Sequence, residues 1–194
     1  MKDSVEITKK RICMFFDYFK KVFDDCGSLL NDENYASRKE IVLTTLFSVL
    51  SLFATAYCCG GKRNNTKIQN EEEFIKFLEK FWDSEEKNRE FEIIANNRRK
   101  IRLNGKRLLW KIRNLLAHEF RTSGMGFPSQ MDEDVIISCP VENHSTKQTN
   151  TEFEIHPHNF LRDMIQMSES YRLYCLTQEL DPRMNLPYRE LYLN

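Results

Sequence analysis

Residues 105–121 read GKRLLWKIRNLLAHEFR, and the spacing within this stretch decides the fold. On a 3.6-residue repeat, Leu108, Leu109, Ile112, Leu115, Leu116 and Phe120 fall on one side and predict a core-facing stripe. Arg107, Lys111, Asn114, His118 and Arg121 follow at spacings of 4, 3, 4 and 3 and predict a second, polar stripe. Asn114 and His118 are one turn apart on that stripe. Arg113 stands at the border, where a long side chain can lift its guanidinium to the polar side. The expectation is one amphipathic helix with an apolar back and a basic front, and the front carries an imidazole that titrates near neutrality.

Immediately upstream, Arg98, Arg99, Lys100, Arg102, Lys106, Arg107, Lys111 and Arg113 follow one another with no acidic residue among them. Such a run reads either as a solvated face partly neutralised by the acidic 71–92 region or as a surface for RNA. Residues 91–104 fit a continued helix or a short hairpin. Ser84 predicts a cap for a helical segment over 85–97. Asn70 and Glu73 form a box-like start for a helix carrying Phe74, Phe77, Leu78 and Phe81. Residues 60–70, GGKRNNTKIQN, predict a loop.

Toward the N-terminus, residues 5–30 place Ile12, Phe15, Phe16, Phe19, Val22, Phe23 and Cys26 at helical spacing and predict a first amphipathic helix. Residues 41–59 are uncharged and strongly apolar, close to the roughly 20 residues of a bilayer span. Thr44, Ser48, Ser51 and Thr55 draw a thin polar stripe along them, so the expectation is a central core helix; a membrane span is the alternative. Beyond the key stretch, 134–141 (DVIISCPV) and 151–156 (TEFEIH) predict two strands of a hairpin insertion spanning about 132–157. Residues 159–180 predict a last helix, and 181–194 an irregular tail with Pro182 and Pro187.

At 194 residues the chain reads as a single domain over 1–194, mostly α, with four to five helices and the hairpin before the last. Its 29 basic and 29 acidic residues cancel, so any basic surface has to be local. Cys13, Cys26, Cys58, Cys59, Cys139 and Cys175 make no CxxC pair or zinc-finger spacing. With a charged N-terminus that runs straight into a helical pattern, they read as reduced thiols of a cytoplasmic protein. His156 and His158 form an HxH interrupted by Pro157, with no third ligand implied, so no metal or cofactor is expected. Neither HExxH nor a glycine-rich nucleotide loop occurs.

Among the four histidines only His118 follows an arginine by five positions, and the residue after that arginine is Asn114. This segment, RNLLAH from Arg113 to His118, resembles the Arg-x4-His motif of the HEPN superfamily. The resemblance implies a HEPN-like helical bundle that dimerises across the motif and cleaves RNA without metal. In it Arg113 holds the phosphate, His118 serves as base or acid, and Asn114 orients His118 or the phosphate; Arg107, Lys111 and Arg121 assist on the backbone. It also implies a toxin, defence or stress ribonuclease, with an antitoxin as a possible partner. The alternative is a non-catalytic HEPN module for RNA binding or dimerisation. Some toxins of this family carry a tyrosine two residues after the histidine; here that position is Phe120.

Overall fold

A computed structural model describes residues 2–33, 37–58, 71–94, 100–116, 125–127, 136–138 and 153–186. Among them the apolar stripes build five helices: α1 (Lys2–Leu30), α2 (Arg38–Cys58), α3 (Glu71–Phe81), α4 (Gly105–Asn114) and α5 (Pro157–Gln178). The protein is thus a mostly α bundle with small β additions, as expected.

The aromatic stripes of four helices converge. Phe53 of α2 lies within 6.2 Å of Phe15, Phe16 and Phe19 on α1, Phe77 on α3 and Tyr171 on α5. Edge-on and tilted ring contacts of this kind add to the area the rings bury. Burial drives the Tyr171 phenol well above its ordinary range and, with Asp181, pushes the Cys175 thiol up to about 12, so both are neutral core groups. Tyr171 lies against Phe16, and Leu161 near the start of α5 lies over Gly27 near the end of α1, so these two helices run antiparallel.

The inner face of α2, from Val42 to Ala56, is buried and packs against the other four helices. By length and composition α2 is apolar enough to cross a membrane, and half of its most apolar window is buried inside the fold. The polar stripe along it is not part of the buried face: Ser48 is exposed, and Thr44, Ser51 and Thr55 are half-buried.

Ser84 caps as expected, accepting the Glu86 N–H at 3.3 Å, but the helix it starts is a single 3₁₀ turn, Glu85–Lys87. The expected helix over 85–97 is replaced by the strand β1 (Glu90–Ile94), paired antiparallel with β2 (Lys100–Asn104). The reason is a period of two: Phe91 and Ile93 are buried while Glu90 and Glu92 are exposed. Between the two readings of 91–104, the hairpin is the one adopted.

Of the expected second hairpin, the described residues hold β4 (Ile137–Ser138) antiparallel to β5 (Phe153–Ile155), while 131–135 and 139–152 lie outside them. An unexpected strand, β3 (Met125–Gly126), joins β5 on its other edge in parallel. Glu86 anchors this sheet: the Ile136 N–H donates to both of its carboxylate oxygens at 3.0 Å. Burial raises the Glu86 pKa, opposed by those backbone bonds. At the C-terminus the chain stays ordered past α5. Asp181 caps a 3₁₀ turn, Pro182–Asn185, and Asn185 Nδ2 donates to the Ala56 carbonyl on α2 at 2.7 Å. The remainder of the expected tail, 187–194, lies outside the described residues.

Candidate functional site

Helix α4 begins in a tight corner. The Asn104 side chain caps it by accepting the Arg107 N–H at 3.1 Å. Gly105 donates its N–H to the Arg89 carbonyl, and a Cβ here would stand 2.1 Å from the Glu86 carbonyl oxygen. Only glycine fits so close a backbone approach. Leu108, Leu109 and Ile112 then turn inward with no exposure, and a wider helical turn carries the chain through Leu115 and the buried Leu116. Over the described part, the two-faced helix is the one expected; 117–121, with His118, Phe120 and Arg121, lie outside the described residues.

The cations of the basic run divide. Lys106 is buried and its Nζ donates to Glu79 Oε1 at 3.0 Å and Asn88 Oδ1 at 3.2 Å. Arg107 lies 3.5 Å from Glu71 across an exposed gap, and Arg102 lies 3.6 Å from Glu92. The acidic 71–92 region thus neutralises this part of the run, and Lys106 is an internal tie rather than a surface charge. Lys111 is half-buried with no ion pair among the described residues.

Arg113 is held differently. Its Nε donates to Ser51 Oγ of α2 at 3.1 Å and its Nη1 to Asn114 Oδ1 at 2.9 Å. Its Cζ sits 5.1 Å from the centre of the Trp110 ring, which is itself wedged 5.2 Å from Phe74 of α3. These neighbours are all neutral, and no carboxylate pairs with Arg113 among the described residues. Burial lowers its pKa from the ordinary value, yet an arginine stays charged near neutrality. A half-desolvated guanidinium whose described neighbours are neutral can take an anion, because those neighbours hold its charge in place without cancelling it.

The structure therefore brings Arg113 and Asn114 together and sets Lys111 beside them on the same helix. Arg107 is tied at the other end to α3. Two members of the site went unread in the sequence. Trp110 is three residues before Arg113, the spacing of helical neighbours, which was a usable signal. Ser51 is 62 positions away; its place in the polar stripe of α2 marked a face but not a partner.

The HxH histidines have local roles. His156 is the residue before α5, buried, with its Nε2 3.1 Å from Ser138 Oγ. His158 is in the first turn of α5, where burial and the nearby Lys39 lower its pKa. Compared with known proteins, the chain matches no family model, no curated protein and no solved structure.

Proposed function

We propose that this chain is an endoribonuclease of the HEPN type, cutting RNA without metal through a composite site made by two copies. The observation that carries the reading is Arg113: a half-buried cation, fixed by a hydroxyl, an amide and an indole, with no carboxylate paired to it among the described residues. A phosphodiester supplies the missing negative charge. RNA supplies its own nucleophile, the 2′-hydroxyl.

In this reading His118 of one copy takes the 2′-hydroxyl proton as the 2′-oxygen bonds to phosphorus. The bond from phosphorus to the 5′-oxygen breaks, and His118 of the second copy gives that oxygen a proton. Arg113 stabilises the charge gathering on the phosphorane, and Asn114 holds Arg113 while its amide nitrogen faces the phosphate. The product is a 2′,3′-cyclic phosphate. Lys111 and Arg121 steer the backbone, and Arg107 joins them when its exposed pair with Glu71 opens. A toxin, defence or stress ribonuclease of the cytoplasm, with an antitoxin as possible partner, is the setting that suits such chemistry.

A second reading, a HEPN module that binds RNA or dimerises without cutting, is favoured by the pairing of Lys106, Arg107 and Arg102 with carboxylates. One experiment separates the two. Purified protein is incubated with total cellular RNA in EDTA, as wild type, His118→Ala and Arg113→Ala. Cyclic-phosphate ends from wild type alone are the expected result. Intact RNA in all three samples, with wild type folded and dimeric, favours the non-cutting module.

A further inference from the structure

The hold on Arg113 has a direction. A guanidinium carries five N–H groups. Ser51 takes the one on Nε and Asn114 takes one on Nη1. The Arg113 Cζ lies over the Trp110 ring, and Phe74 packs against Trp110 with the rings tilted. The three hydrogens left over, one on Nη1 and two on Nη2, meet no acceptor among the described residues. One hydrogen on each Nη makes the blunt end of the fork, the end that grips two oxygens of one phosphate at once, and the second Nη2 hydrogen runs parallel to the Nε–H.

Resting on the ribonuclease reading above, we infer that Ser51 and Trp110 are positioning residues that present the Nη1–Nη2 end of Arg113 to the phosphate being cleaved. A carboxylate in the place of Ser51 would hold the arginine as firmly but cancel its charge. A hydroxyl on Nε and an indole beneath the plane hold it and leave the charge whole. The supports also sit on regular elements: Ser51 on the central helix α2, and Trp110 one turn back on α4 itself. Groups locked by such packing keep the narrow tolerances a reacting phosphate requires.

Two readouts on the full-length chain test this. The first is solvent exchange of the Arg113 Nε–H by NMR on 15N-arginine-labelled protein, which needs no RNA. The second is binding of a fluorescent 2′-O-methyl oligoribonucleotide of mixed sequence, which lacks the nucleophile and is not cut. Slow exchange is expected in wild type and fast exchange in Ser51→Ala, with affinity lowered about tenfold, the size of one charge-assisted hydrogen bond. Ser51→Thr restores both. Trp110→Phe keeps a ring against Phe74 while weakening the hold on the cation, and lowers affinity about threefold. In an Arg113→Ala background, Ser51→Ala and Trp110→Phe change affinity no further, because both act through the arginine. Equal losses with and without Arg113, or an Nε exchange rate indifferent to Ser51, overturn the inference. Slow exchange with no oligonucleotide binding by wild type removes the ribonuclease reading itself and this inference with it, a result distinct from either of those.

Discussion

The two ends of α4 treat their cations in opposite ways. At the start, Lys106 and Arg107 reach Glu79 and Glu71, so the charges tie α4 to α3. Toward the end, Arg113 is held by Ser51, Asn114 and Trp110, none of which carries charge. Along the sequence these residues belong to one unbroken basic run. Among the described residues the run is part structural tie and part available charge. Glu71 and Glu79 of α3 lie beside the first turn of α4, and Ser51 of α2 lies beside the last. A count of lysines and arginines therefore overstates the positive surface that the described part of α4 offers.

The sharpest way to break this comparison is Arg113→Met. If Arg113 is a charge kept for a ligand, its loss lowers RNA cleavage by roughly 100-fold or more. The same change removes a half-desolvated cation and leaves an apolar chain over Trp110, so the thermal midpoint stays level or rises. A clear drop in the midpoint, followed by circular dichroism, makes Arg113 a structural tie like Lys106 and erases the contrast. Gly105→Ala probes the opposite end. Its methyl meets the Glu86 carbonyl, a backbone atom that has no room to yield. The expected cost is about 3 kcal/mol in urea unfolding, as for other forced contacts in packed sites. RNA binding per folded molecule stays unchanged.

Much of this layout is written in local spacing. The apolar stripes of α1, α3 and α5, the Ser84 cap and the inner face of α4 were all legible, because each depends on residues within a turn or two. The segment after Ser84 resisted for a physical reason. Acidic residues after a cap favour a helix, but only five residues follow before Phe91 and Ile93 alternate with Glu90 and Glu92. Burial of that alternating pair in the core overrode the local preference. Strand β3 resisted because it is two residues long and pairs in parallel with β5, far along the chain. Within the site, Arg113 and Asn114 were legible as a motif. The split of the basic run was not, since it depends on which helix α4 touches at each end.

A weaker form of the same contrast is His158, a second group whose cationic form is desolvated, here with a like charge nearby. Burial and Lys39 hold its pKa below the ordinary 6.5. Above that value the imidazole is neutral in both folded and unfolded chains and contributes nothing to pH dependence. As the pH falls below it, the unfolded chain takes up the proton first and the folded state loses stability, until the folded imidazole titrates as well. Urea midpoints between pH 7 and pH 5 are expected to fall, and His158→Asn to flatten part of that slope. An unchanged slope places the acid sensitivity elsewhere.

The smallest effect bears on whether Arg107 belongs to the tie or to the site. Its pair with Glu71 is 3.5 Å long and exposed on both sides, the kind of contact that contributes less than about 1 kcal/mol. Glu71→Gln should therefore leave the urea midpoint nearly still. What it changes is the fate of one positive charge less than two turns from Arg113. With Glu71 neutral, Arg107 is free to swing along α4, and affinity for the 2′-O-methyl oligoribonucleotide is expected to rise about twofold at low salt. The gain should fade as salt rises, since each phosphate contact releases counterions. Such a gain means the acidic cap on α3 competes with RNA for Arg107, and the boundary between the two ends of α4 lies before Arg107. No gain at any salt puts that boundary after it, and leaves Lys111 and Arg113 as the described cations of α4 that face the ligand.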